Sequence, residues 1–193
     1  MWGELAPPTA PKSACAMFGH HCRLGGVNRR PEPEAVRAAA VAAVEAFVAD
    51  AGVDAEELGD GRWFLRLAGE RKLGIGVHLA VGDRTLRVES FFMRAPEEQR
   101  ERLYRDLLLR QATSYVLRFT LDEAGDLFLV GQVPLRAVTY EEVDRVVGSV
   151  LDLADAAYLP AVEIGFASSI AAEKAWRARL AEGSARSPEI PSK

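Results

Sequence analysis

Cys15, His20, His21 and Cys22 come nearest to a metal-ligand set in this chain. Zinc takes thiolate and imidazole in a tetrahedral shell. Here six residues separate the cysteines, the histidines sit directly before the second one, and no paired C-x-x-C knuckle occurs. No sustained apolar pattern surrounds them to orient the ligands from behind. The stretch reads as an incidental part of a tail, and no metal or cofactor is expected. His78 is the only histidine elsewhere. Nucleophilic catalysis would need a Ser or Cys placed to meet it, and spacing assigns none, so His78 reads as exposed or satisfied by a neighbour. Gly74-Ile-Gly76 begins like a dinucleotide fingerprint, but it lacks the third glycine and lies inside a strand pattern instead of opening a helix. It reads as a small-residue face on which something packs closely. Asp122, Glu123 and Asp126 lack the alternating acids and terminal Glu of a calcium loop and read as a solvated hairpin tip. Arg100, Arg102, Arg105 and Arg110 alternate with Glu97, Glu98, Glu101 and Asp106, the mark of a solvated, salt-bridged face and not of a phosphate stripe. No catalytic site is expected.

The aromatic pairs are more suggestive. Trp63-Phe64 and Phe91-Phe92-Met93 lie in strand-like stretches. Adjacent strand residues point to opposite faces, so both faces are apolar at these points. One face must meet helices, which leaves aromatics on the other, and exposed apolar patches mark partner sites. The expected protein-binding residues are Trp63, Phe64, Phe91 and Phe92.

The elements that would position them follow from period and punctuation. Residues 1–30 hold Pro7, Pro8, Pro11 and Gly25-Gly26 with no apolar period, and are expected to be a disordered tail. A helix is predicted over 34–50, with Val36, Ala40, Val44, Phe47 and Val48 on one face. Strands are predicted over 62–67, 73–81 and 85–93. The second of these alternates most strictly, with Leu73, Ile75, Val77, Leu79 and Val81 on one side. A second helix should run from 95 to 111, followed by strands over 115–121 and 126–133 around a turn at Gly125. Thr139-Tyr-Glu-Glu142 is a capping box opening a third helix that Pro160 should kink or stop. A last helix is predicted over 168–180, with a disordered tail over 181–193. The class is α+β: a five-stranded antiparallel sheet with helices packed on it, in one domain over 31–180. Val44, Phe47, Leu73, Ile75, Val77, Leu79, Leu107, Phe119, Leu129, Val147 and Leu151 are the expected core.

A chain of 193 residues with net charge -4 fits one domain with tails and has no general affinity for nucleic acid. Both cysteines lie in the N-terminal stretch, so the domain is not a disulfide scaffold. The start lacks a basic region followed by an apolar run, and every apolar stretch is broken well short of the roughly 18 residues a membrane span needs. A cytoplasmic protein with no membrane association is expected. Arginine far outnumbers lysine, as a GC-rich bacterial genome would produce.

Several segments carry a family resemblance: Leu86 to Pro96 (LRVESFFMRAP), Leu103 to Leu108 (LYRDLL), Phe119 to Pro134 (FTLDEAGDLFLVGQVP) and Glu142 to Gly148 (EVDRVVG). Gly165-Phe166 and Trp176-Arg177 fit as well. Together they resemble the YbjN-domain family in its actinobacterial form, over about 34–177. That family is similar in fold to type III secretion chaperones, often dimeric, and its members are described as sensory or regulatory. The resemblance implies binding of a protein or peptide segment, with a homodimer a possible assembly, and supplies no catalytic residue. The expected function is therefore a non-enzymatic, chaperone-like or regulatory protein-binding module. The alternative is a small-ligand sensor or enzyme with a pocket near His78 and Arg94.

Overall fold

The structure, a computed structural model, describes residues 33–185. The predicted tail over 1–30, with Cys15, His20, His21 and Cys22, lies outside the described residues, as does the stretch after 185. The chain runs α1 (Pro33–Asp50), β1 (Asp54–Gly59), β2 (Arg62–Leu67), β3 (Ile75–Val81), β4 (Thr85–Met93), α2 (Arg100–Gln111), β5 (Arg118–Leu121), β6 (Leu127–Pro134), α3 (Tyr140–Gly165) and α4 (Ala167–Ala185). All strand pairings are antiparallel, in the order β1-β2-β3-β4-β6-β5.

The sheet has six strands, not the expected five. The missed strand is β1, with sequence DAEELG. It has no apolar alternation because it is an edge: only β2 pairs with it, and its acidic side chains are exposed. Charged residues on a free edge also keep foreign strands from adding to it. Arg66 on β2 holds it from across the ladder, bonding Asp54 at 3.4 Å and Glu56 at 3.0 Å.

Alternation on the inner strands produces one buried face. Trp63, Leu65, Ile75, Val77, Leu79, Leu86, Val88, Phe92, Leu127, Leu129 and Val133 are all buried. α3 packs against β3 and β4, with α1 and α2 beside it. Val143, Val146, Val147, Val150, Ala154, Ala157 and Ala161 line its buried side at helical spacing. Of the expected core, Leu73 is wrong: it is 81 % exposed, because β3 begins at Ile75 and Leu73 sits in the preceding loop. Phe119 and Leu151 are half-buried.

Pro160 does not end α3, which continues to Gly165. Proline deprives the Ala156 carbonyl of its donor, but Ala156 is exposed and water can take that place. At the other end Thr139 Oγ1 accepts from the Glu142 amide at 3.2 Å. The reciprocal half of the capping box is absent, since the Glu142 carboxylate bonds Arg145 at 3.1 Å. α4 reaches Ala185, beyond the predicted stop. Its described side chains from 171 to 180 are all exposed, including Trp176.

Candidate functional site

The helices cover one face of the sheet, and no described element covers the other. Cross-strand register lays a complete row over that open face: Glu56, Phe64, His78, Glu89, Val130 and Arg118, each paired with the next. His78 stands mid-sheet, exposed, with the Phe64 ring 4.6 Å from its own. The tip of the Phe64 ring lies over Gly76. A Cβ at Gly76 would meet its ring carbons at 2.7 and 2.9 Å, which is the close approach the paired glycines suggested. The Arg66 guanidinium sits 5.1 Å above the same ring. Phe64 is thus half-buried by its own neighbours.

Phe91 is different. It is 43 % exposed and meets Phe128, its cross-strand partner, edge to face at 5.5 Å. Phe128 and Val130 beside it are half-buried. Of the four aromatics expected at a partner site, Phe64 and Phe91 lie on the open face. Trp63 and Phe92 do not: they are 2 % and 1 % exposed and belong to the core, so they are withdrawn as partner residues. Alternation sends Trp63 inward. At Phe91–Met93 the register slips by a β-bulge, which turns both Phe92 and Met93 inward. Phe92 packs edge-on against Phe119 and Tyr158.

Where β4 leaves the sheet, a cleft of about 440 Å³ opens between Lys72, Phe91, Met93, Arg94, Tyr158 and Phe166. His78 does not line it. The expected pocket around His78 and Arg94 is therefore not formed, because His78 faces outward from mid-sheet and Arg94 lies past the end of β4. The residue that joins Arg94 is Lys72, which sequence reasoning missed. Its ammonium lies 5.1 Å from the Tyr158 ring and 6.0 Å from that of Phe91. Burial pushes its pKa below the ordinary lysine value.

Lys72 is placed by Asp155 on α3. One oxygen of that carboxylate accepts from the amides of Arg71 at 2.7 Å and Lys72 at 2.8 Å. The Lys72 amide first, with help from Arg71, holds the Asp155 carboxyl below the usual carboxylate range. A depressed folded value stabilises above the unfolded value, near pH 4, and that contribution is lost as pH falls through the folded value. The Lys72 amide resonance should therefore titrate below the ordinary carboxylate range, and Asp155→Ala should remove its exchange protection at neutral pH. NMR amide exchange measures both, and a Lys72 amide indifferent to either change would show the tether to be absent.

A second apolar surface lies at the other edge. Tyr104, Leu107, Leu108, Phe119, Leu121 and Leu127 form a groove of about 300 Å³ between α2 and β5. Leu108 and Leu121 are more than half exposed. The Phe119 amide, which faces away from β6, donates to the Gln111 side chain at 2.6 Å, so the edge strand is partly closed to pairing.

Other polar groups brace the fold. Asp126 accepts from the Ala95 amide at 2.7 Å and Asp122 from the Asp126 amide at 2.9 Å, tying the β5–β6 hairpin together and to the start of the α2 approach. Arg110 pairs with Asp106 at 2.6 Å along α2. Among the described residues no three His, Cys, Asp or Glu side chains converge as metal ligands, and no helix is long and apolar enough to cross a membrane.

Comparison with known proteins adds lineage. An uncharacterized protein of Mycobacterium bovis is 48% identical over 119 residues, covering 62% of this chain and 64% of the relative. One from Mycobacterium leprae is 40% identical over 116 residues, with 60% and 63% covered. The chain thus spans just under two thirds of the length of the curated relatives it matches. Among solved structures, Escherichia coli YbjN matches at TM-score 0.46 and 20% identity, over 61% of this chain and 87% of that one. The Yersinia pestis type III secretion chaperone SycH, crystallised with a fragment of YscM2, matches at TM-score 0.42 and 21% identity, over 60% and 96%. The family model described as "Putative bacterial sensory transduction regulator" matches residues 40–162, from the middle of α1 through all six strands into α3, and on that match the chain belongs to the YbjN family.

Proposed function

We propose that the chain is a non-enzymatic protein-binding module, chaperone-like or regulatory, that holds a segment of another cytoplasmic protein against the open face of its sheet. The observation that carries the reading is Phe91, 43 % exposed and braced by Phe128 on a face that no described element covers. Strand aromatics held by a ladder lose little freedom on binding, so their contact area converts into affinity at low entropic cost. Along β4 and β6 the Phe91–Phe128 pair is followed on the same face by Glu89 with Val130 and Arg87 with Gln132, which supply a polar rim. The description of the family as a sensory transduction regulator is in keeping with partner binding.

The test compares the wild-type chain with Phe91→Asp. Proteins retained from a mycobacterial lysate by the first and released by the second are identified, purified and titrated against both. Phe91→Asp should weaken the purified pair at least about tenfold, as expected for loss of a central aromatic contact, with the circular dichroism spectrum unchanged. If self-association is what disappears, the occupant is a second copy of the chain. A purified partner that binds both forms equally rejects the open face as the binding surface.

A further inference from the structure

We infer that the cleft at the rim of the open face receives an aspartate or glutamate side chain of the bound segment, one flanked in that segment by an aromatic or branched apolar residue. The inference rests on the open face being the partner surface, and it specifies which segment that surface takes.

Lys72 and Arg94 both line the cleft. Among the described residues neither takes part in an ion pair, which is equally true of most of the described arginines; what sets these two apart is that they line one largely apolar cleft. Lys72 is the more telling of the two. Asp155 fixes its backbone amide, which keeps the root of the side chain beside α3. The ammonium rests between the rings of Tyr158 and Phe91, partly desolvated. Cation–π attraction offsets part of that cost, and a carboxylate would offset far more through a charge-assisted bond in a partly dry site. The walls decide what accompanies the acid. Phe91, Met93, Tyr158, Val162 and Phe166 are apolar, and about 440 Å³ leaves room for more than a carboxylate alone. An acid and an apolar neighbour fill the cleft together.

Continuity with the open face identifies the source of the carboxylate. The ring of Phe91 is at once a wall of the cleft and an exposed part of the sheet surface near the end of β4. A segment lying on the face reaches the mouth of the cleft where β4 ends, so one of its side chains can enter there. The net charge of -4 disfavours a polyanion, since the rest of the surface would repel it.

Selection of an amidated random peptide library on the full chain tests this. Enriched peptides should share an Asp or Glu beside an aromatic or branched residue. In synthetic copies, changing that acid to its amide should weaken binding about tenfold, equivalent to about 1.4 kcal/mol. Lys72→Gln should cause a similar loss, and the acid-to-amide change should then have little further effect in the Lys72→Gln chain. A consensus without an acid overturns the inference, as does an acid whose replacement costs the same in both chains, or a selection that yields no peptide held more weakly by Lys72→Gln. Phe91→Asp separates the two levels. Acid-free peptides released by that variant would leave the open-face reading standing while removing this one. Peptides held equally by wild type, Lys72→Gln and Phe91→Asp would remove both.

Discussion

Phe92→Ala is expected to cost about 3–5 kcal/mol of folding stability, and Phe91→Ala, one residue earlier in the same strand, less than about 1 kcal/mol. Phe92 is 1 % exposed and fills the space between Phe119 and Tyr158, with ring centroids at 5.1 and 6.3 Å. Deleting its ring removes its burial energy and leaves a cavity, because the two flanking aromatics come from β5 and α3 and cannot both collapse onto it. Phe91 has Phe128 and the more distant Lys72 ammonium to lose, on a surface already open to water. Urea titration measures the pair. Equal midpoints would mean the bulge does not turn Phe92 inward, and the open-face assignment of Phe91 would fall with it.

That pair also shows how far the sequence could be read. Alternation in Ile75–Val81 and the short links between strands make the antiparallel core legible, because a half-buried strand must alternate and a short link forbids a crossover. β1 was illegible for the same physical reason: DAEELG buries little, so its existence depends on the ladder to β2 and on Arg66 and not on its own apolar content. Leu73 continued the alternation of β3 into residues where the chain leaves the ladder to meet Asp155. At the candidate site, opposite facing of adjacent residues was enough to place an aromatic outside, but it could not say which. Trp63 and Phe64 obey simple alternation, while the bulge at Phe91–Met93 depends on pairing with β6 more than thirty residues away in sequence. Lys72 carried no local signal. Its position comes from a carboxylate 83 residues further along the chain, and its neighbours Tyr158 and Phe166 come from α3 and the turn after it. Leu108 and Leu121 likewise form a groove only once α2 lies beside β5.

Two glycines of α3 should respond in opposite directions to one substitution. Gly148 sits mid-helix, and a Cβ there would meet nothing within 4 Å. Gly148→Ala should raise stability by about 0.5–1 kcal/mol, since alanine restricts the unfolded chain and suits the helix. Gly165 ends the same helix, is buried, and has Pro96 against it: a Cβ would lie 2.9 Å from Pro96 Cβ and 3.6 Å from Pro96 Cα. A proline ring cannot rotate out of the way. The Gly165 carbonyl also accepts from the amides of Glu97 and Glu98 at 3.0 and 3.2 Å, so the loop that carries Pro96 into α2 is bonded to the point it would have to leave. Gly165→Ala should therefore cost about 1–3 kcal/mol through forced displacement, and Gly165→Val at least the upper end of that range. Thermal unfolding of the three variants checks the signs. Because Phe166 follows Gly165 and lines the cleft with Lys72 and Arg94, Gly165→Ala should also weaken any acidic segment held there, while Gly148→Ala should leave it unchanged. Stabilisation by both substitutions alike would mean that α3 does not dock on Pro96 as described, and the wall of the cleft contributed by Phe166 would lose its support.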